Sequence, residues 1–310
     1  MSAPDLSIVV VLHNSAAELA GCLDSIRPAV ESGWAEAILV DNASLDDSAG
    51  VGRRALPGAQ LLELGDNRGF SAGVNAGLSA AVGRYVLLLN PDVVVPERGL
   101  EELVAWMDWH PAIAAASPEL VGPDGEWGTP GRAMPSIWRL ALRTSRLHRL
   151  LPRRWAGALL RGAFWPGGDQ LGVGWVPATA LIARAPAVAA AGPLRDDLFF
   201  LYGEDIEWCW RIRRAAGPLG VCARVRFEHH ASASTTRTWG ASERERMIDA
   251  GMDHACRIIY GEPHARVLAW ATALSLAVDA GAPWRSASER SVSRAAARRW
   301  LTIARSYASR

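Results

Sequence analysis

Short apolar, β-branched runs alternate with helix-patterned segments through the first 117 residues, and this alternation narrows the fold more than any other feature. "LSIVVVL" (6–12) reads as a strand buried on both faces, and "AEAILVDNAS" (35–44) repeats the pattern before ending in turn residues. Between them, "SAAELAGCLDSI" (15–26) spaces its apolar residues by three and four behind a Ser15 cap, which predicts a helix. "AQLLEL" (59–64), "GFSAGVNAGLSAAV" (69–82) and "RYVLLLN" (84–90) add a strand, a helix and a strand; "RGLEELVAWMDWH" (98–110) and "AIAAAS" (112–117) add a further pair. The spacing predicts an α/β fold with a mostly parallel, doubly wound sheet and flanking helices.

Ligands of such sheets collect beyond the carboxyl ends of the strands, where this chain places His13-Asn14, Asp41-Asn42 and Asn90-Pro91-Asp92. Further on, "GWVPATALIAR" (174–184) reads as another buried strand. "DDLFFLYGEDIEWCWRIRRAAG" (196–217) reads as a loop entering a helix near Glu204, and "GVCARVRFEHHASAST" (220–235) as a strand ending in paired histidines. Half of the 310 residues are hydrophobic, enough for a full core.

A formal net charge of +1 does not favour nucleic acid as a partner. The four cysteines, Cys22, Cys209, Cys222 and Cys256, show no zinc spacing and read as buried thiols suited to a reducing cytosol. "MSAPDLSIVVVLHNS" lacks a basic leader and its apolar run is only strand-length, so the expected location is cytoplasmic.

Two segments stand apart in composition. Residues 132–161 hold eight arginines and no acid, interleaved with Trp138 and Trp155, and read either as a solvated basic face or as a surface turned to an acceptor or a membrane. Near the C-terminus, "VLAWATALSLAV" (267–278) is followed by an Arg-rich stretch from Arg285 to Arg310. Crossing a bilayer takes about 20 apolar residues, so this run is expected to pack on the body or to lie peripherally at the inner face of the cell membrane. The expected organisation is a catalytic unit over 1–235, with a basic insertion at 131–170, and a helical C-terminal extension over 236–310.

The glycines at 69, 73 and 77 form a stripe at helical spacing and do not make a G-x-G-x-x-G fingerprint, which disfavours a dinucleotide site. The stripe predicts close helix–sheet packing, while the helix start at Gly69, with Arg68 beside it, could also receive a phosphate. A carboxylate at the end of a buried strand, such as Asp92, is rigidly held and suits Mg²⁺ or Mn²⁺ bound with help from substrate phosphates; His229 is the candidate second ligand. Glu204 and Asp205 are adjacent on a helix and point about 100° apart. One of them could serve as a general base in the shelter of "LFFLYG", or the pair could simply be an acid-rich first turn.

In this order, "IVVVLHNS", "ILVDNASLDDS", "DNRGFSAGVNAGL", "YVLLLNPDV", "WVPATALIAR", "FFLYGEDIEWCWRIRRAAG" and "HHASAS" resemble glycosyltransferase family 2, enzymes of the GT-A fold, and particularly the branch with bacterial rhamnosyltransferases. The resemblance covers roughly residues 5 to 235. It implies a nucleotide-sugar donor, a divalent cation and inversion at the anomeric carbon by direct displacement. By the same resemblance Asp41 reads the pyrimidine base with Asn42 and Ser44 beside it, and Asn67, Gly69, Phe70 and Asn75 line the nucleotide and sugar. Asn90-Pro91-Asp92 stands for the Asp-x-Asp motif with Asp92 as metal ligand, Asp205 is the base of the Glu204-Asp205 pair, and His229 is the metal-binding histidine.

Three departures from the family pattern matter: His13, where many relatives have Tyr, bears on the base contact; Asn90, in place of the first acid, on metal affinity; and Pro177-Ala178, where Ser-Gly is common, on substrate. The implied reaction moves rhamnose or a related deoxysugar from a dTDP-sugar to a hydroxyl of a lipid-linked, glycan or small-molecule acceptor in cell-wall or polysaccharide synthesis. A UDP-hexose or UDP-galactofuranose transferase is the alternative donor reading. A sugar nucleotidyltransferase and a catalytically degenerate nucleotide-binding scaffold are the other classes to separate, and self-association stays open.

Overall fold

A computed structural model describes residues 3–122, 127–128, 131–145, 150–152, 155, 168–230 and 240–307. Five of the eight arginines of 132–161, and residues 231–234 of "HHASAS", lie outside the described residues.

The N-terminal half is the predicted alternation: β1 (Leu6–Leu12), α1 (Ala16–Glu31), β2 (Ala35–Asn42), α2 (Ser48–Ala55), β3 (Gln60–Leu64), α3 (Phe70–Ala80) and β4 (Tyr85–Leu89). β1 pairs in parallel with both β2 and β4, and β2 with β3, so the carboxyl ends of these strands open on one edge. Alternate residues of β1 enter different cores: Leu6, Ile8, Val10 and Leu12 meet α1, whereas Val9 faces α3. Period-two alternation with both faces apolar is what a strand between two helix layers requires.

The second half mixes directions. It comprises β5 (Val93–Val94), α4 (Gly99–Trp109), β6 (Ala115–Val121), β7 (Trp127–Gly128), α5 (Ile137–Thr144), β8 (Gln170–Val173), β9 (Ala180–Arg184), α6 (Ala185–Ala191), α7 (Glu204–Ala215) and β10 (Leu219–His229). The main path through the sheet is β3-β2-β1-β4-β9-β6-β10-β5. β9 is antiparallel to both β4 and β6, while β6 and β10 are parallel. The expected mostly parallel α/β sheet is therefore present with β9 inserted antiparallel at its centre and β5, β7 and β8 pairing antiparallel around β6 and β10.

Several expected boundaries move. α1 runs on to Glu31 through Pro28 in its last turns, and Ser15 makes no side-chain cap. The Ala16 N–H is bound instead by the Asp46 carboxylate at 3.0 Å. The strand expected at 112–117 lies at 115–121, and it tolerates Pro118 because its pairing with β9 covers only Ala115 and Ala116. In the strand expected over 174–184 only 180–184 forms a strand, with Trp175 making an isolated bridge to Arg132, since Pro177 fixes φ and has no N–H to give a ladder.

The glycine stripe does pack as expected. A Cβ at Gly73 would stand 2.7 Å from Val11 Cγ1, so α3 lies against β1 at backbone distance.

After the sheet come α8 (Ala241–Tyr260), α9 (Glu262–Gly281) and α10 (Ala287–Ser306). They share a small core, Cys256, Leu268, Trp300 and Tyr307 among its members, into which Ile137 and Leu140 of α5 also pack. Among the described residues no helix is long and apolar enough to cross a membrane. All four cysteines are buried and unpaired, and burial first, with the Asp92 charge second, pushes the Cys22 thiol up to about 12.

Candidate active site

A cleft of about 230 Å³ opens at the carboxyl ends of β1, β2 and β4, bounded on its far side by the start of α7 and by α8. Of the candidate residues, His13, Asn42, Asn67, Gly69, Phe70, Asn90, Asp92, Glu204, Asp205 and His229 line it. Asn14, Asp41, Ser44, Arg68 and Asn75 do not.

Sheet register makes the first pair. β5 follows Asp92 directly and pairs antiparallel with β10, His229 opposite Val93, and the His230 N–H donates to the Asp92 carbonyl at 3.0 Å. These bonds bring His229 Nε2 to 3.4 Å from Asp92 Oδ2, with both side chains largely shielded. Neither residue alone carried this pairing in the sequence.

Helix geometry makes the second pair. Glu204 and Asp205 open α7 after Gly203, whose φ of +92° only glycine adopts easily and where a Cβ would stand 2.4 Å from the Gly251 carbonyl of α8. Glu204 is 5 % exposed, and its Oε2 has no hydrogen-bond partner among the described residues. Burial, with the adjacent Asp205 charge, pushes its carboxyl up to about 8. Burial also raises Asp205, to about 6, but the N–H groups of Ile206 and Ala178 and the Arg132 charge oppose the rise. Burial raises both carboxyls, and because the Asp205 charge adds to the rise of Glu204 while N–H groups and the Arg132 charge favour ionised Asp205, Asp205 is the more readily ionised of the two.

The raised Glu204 carboxyl predicts a stability profile. A carboxyl raised on folding stabilises fully below its unfolded value and loses that contribution as pH climbs through its folded one. Glu204→Gln is expected to flatten the fall in thermal stability between about pH 4.5 and about 8. A wild-type slope in the variant, followed by thermal unfolding across that window, would contradict the buried neutral acid.

The β1–α1 and β2–α2 loops and the Asn67–Gly69 segment are tied together. His13 Nδ1 lies 3.0 Å from the Asn42 carbonyl, and its Nε2 lies within reach of the Asn67 and Asn14 amides, which makes Nε2 the acceptor and Nδ1 the protonated nitrogen. Asn42 spends its whole amide on this segment, donating to Asn67 Oδ1 and the Gly69 carbonyl and accepting from the Arg68 N–H. Ser44 Oγ accepts from the Asn14 N–H, and Asp41 Oδ2 from the Ser44 N–H. Asp41 Oδ1 is buried without a hydrogen-bond partner among the described residues. The Arg68 side chain is exposed. Asn75 lies outside the cleft because both ends of its amide bind the backbone of Leu194, which anchors the loop that leads to α7.

Four contributors were not named as site residues from the sequence, although "LFFLYG", which holds Phe200 and Tyr202, was read as the shelter of the acid pair. Phe200 accepts the Phe70 N–H at its carbonyl, 2.7 Å, which seats the α3 start against the 200–203 loop. Thr179 accepts the Asn90 N–H from beside β9. Tyr202 holds a positive φ of +70° with its hydroxyl accepting from Arg244 Nε at 2.9 Å. Arg244 is the only arginine lining the cleft among the described residues, and it comes from α8, in the expected extension. The Tyr-Gly step before a helix was a usable signal for the first turn of this loop; the ERER repeat around Arg244 was not.

The sheet presents acids, amides and two histidines at its carboxyl edge, closed by a helix starting in Glu-Asp, and the fold is that of the GT-A glycosyltransferases. Residues 7–162 match the model of "Glycosyl transferase family 2", and the chain belongs to that family and is a glycosyltransferase. It is 26 % identical over 248 residues to the N-acetylglucosaminyl-diphospho-decaprenol L-rhamnosyltransferase of Mycobacterium tuberculosis, covering 75 % of this chain and 78 % of that protein. It is 26 % identical over 242 residues to the low-salt glycan biosynthesis hexosyltransferase of Haloferax volcanii, covering 75 % and 69 %. A mannosyltransferase from Pyrobaculum calidifontis, solved with GDP-Man and Mn²⁺, superposes with a TM-score of 0.58 at 17 % identity over 98 % of this chain and 87 % of that one, and so shares its fold.

Proposed function

We propose that this chain is an inverting glycosyltransferase that moves rhamnose or a related deoxysugar from a dTDP-sugar to a hydroxyl of a lipid-linked acceptor, with Asp205 as general base. The observation that carries the reading is the convergence of Asp92–His229 and Glu204–Asp205 on one cleft at the sheet's carboxyl edge. The rhamnosyltransferase relative, named for an N-acetylglucosaminyl-diphospho-decaprenol acceptor, supports the sugar and the acceptor class. The second reading is a UDP-hexose donor, for whose hexose the hexosyltransferase relative gives support.

The residues present fit a divalent cation. One carboxylate and one imidazole stand together, and no group of three or more possible ligands occurs among the described residues. Two protein ligands suit Mg²⁺ or Mn²⁺, which are completed by donor phosphates and water. The Mn²⁺ in the mannosyltransferase complex supports the same assignment. When bound, such a cation supplies counter-charge to the departing diphosphate.

The chain's own groups do the rest. Asp205 takes the acceptor hydroxyl's proton while that oxygen bonds to the anomeric carbon and the bond from that carbon to the diphosphate oxygen breaks. Glu204, the less readily ionised of the pair, keeps a second negative charge away from the developing alkoxide. The His13–Asn42–Asn67 network shapes the nucleotide end, with Asp41 set behind it on the Ser44 N–H, and Arg244 brings positive charge to a cleft otherwise rich in acids.

Thermal unfolding with dTDP, UDP, GDP or ADP, each with and without Mn²⁺, tests the reading. A ligand at a hundred times its dissociation constant stabilises by about 2.7 kcal/mol, a readable shift. A metal-dependent shift greater with dTDP than with UDP is expected; UDP ahead of dTDP favours the hexose reading, and no shift with either pyrimidine nucleotide sinks both.

A further inference from the structure

The described part of the arginine-rich, tryptophan-containing segment over 132–161 meets a second such region at the C-terminus. α5 packs through Ile137 and Leu140 into the core of the C-terminal helices, and Thr144 Oγ1 donates to Ser275 Oγ of α9 at 2.7 Å. α9 buries Leu268, Ala269 and Ala273 on one side. On another it carries Val267, Trp270, Leu274 and Val278, exposed by 51, 43, 65 and 43 %. Steps of three and four residues place these four on one stripe.

Beside this stripe, Trp270, Leu274 and Leu301 line an apolar groove between α9 and α10, together with Arg294 and Arg298. Both arginines are exposed, and neither forms an ion pair with a described carboxylate, whereas neighbouring Arg299 is held by Asp249 and Glu245. Residues 285–307 contain six arginines and a single acid, Glu289.

Charge decides what covers this face. A second copy docked by a two-fold axis would set the same cations against one another. A neutral apolar ligand would leave them without counter-charge. A surface with an apolar interior and anionic headgroups satisfies both the stripe and the arginines. At 20 residues α9 is about 30 Å long, and no described helix is apolar enough to cross a bilayer, so α9 would lie in the plane of the interface.

We propose that α9 and α10 form a membrane-docking face that seats the protein on an anionic bilayer, with Trp270 and Leu274 entering the interface and Arg294 and Arg298 meeting lipid phosphates. The face adds to the lipid-linked acceptor reading and is tested apart from it, because vesicle binding needs neither donor nor acceptor.

The test is co-sedimentation of the full chain with phosphatidylcholine vesicles, with and without phosphatidylglycerol. Binding is expected only with the anionic lipid and should weaken as salt rises. The double variants Trp270→Ser with Leu274→Ser, and Arg294→Ser with Arg298→Ser, should each lower the bound fraction about tenfold. Their unfolding temperatures and nucleotide shifts should match the parent protein, and the exposed arginine pair provides the control if the apolar pair disturbs folding. Equal binding by the variants, or equal binding to neutral vesicles, overturns the proposal. So does a concentration-dependent dimer in light scattering that Leu274→Ser dissolves, which would make a second copy the occupant.

Discussion

Replacing Asp205 by Asn is expected to lower kcat by about 10² to 10⁴ while the thermal shift given by nucleotide stays as in the parent protein. The side chain keeps its size and still accepts from the Ile206 N–H, 2.8 Å from Oδ1, so the α7 start should keep its shape. What goes is the ability to take a proton. Burial raises the Asp205 carboxyl to about 6, so the acid limb of the parent's pH–rate profile should fall near there, well above an ordinary aspartate, and should be absent from the variant's residual rate. Undiminished turnover by Asp205→Asn with saturating donor would remove this residue from the chemistry. Retention of the acid limb would assign that ionisation to another group.

Asp92→Ala is expected to abolish the Mn²⁺-dependent part of nucleotide binding, and His229→Ala to weaken it, each by about tenfold to a hundredfold or more in affinity. The readout is the unfolding temperature with nucleotide, with and without Mn²⁺, which requires no turnover. Asp92 sits between the end of β4 and the two-residue β5, and the bonds that hold it are backbone bonds: Val93 N–H to the Asn90 carbonyl at 3.2 Å, and His230 N–H to its own carbonyl. Removing the carboxylate should therefore leave the strand edge standing. If the Mn²⁺-dependent shift in Asp92→Ala equals that of the parent protein, Asp92 is not a ligand, whatever its place in the cleft.

Legibility followed the range of the interaction. β1, β2 and β4 could be read because a strand buried on both faces must be apolar throughout, and α3 because its glycines recur at the helical period against Val9 and Val11. Asn90 and Asp92 could be placed at a ligand edge because a parallel sheet presents its carboxyl ends together. The Ser15 cap failed since its hydroxyl turns back to the His13 backbone, while Ser48 and Asp46, thirty and more residues away, take the Ser15 and Ala16 N–H groups. Asn75 was misplaced because its partner, Leu194, lies on a loop with no sequence signal to link the two.

The sequence by itself determined the α/β alternation, the polar strand ends and the Glu204-Asp205 helix start, since each is written in the periodicity or chemistry of neighbouring residues. Only the tertiary structure decided that β9 inserts antiparallel between β4 and β6, that β5 and β10 pair so as to join Asp92 to His229, and that α8 brings Arg244 into the cleft. The physical reason is that strand order, register and helix docking are selected by burial and hydrogen-bond closure between distant segments, and a segment's own residues satisfy several partners equally until the whole core is packed.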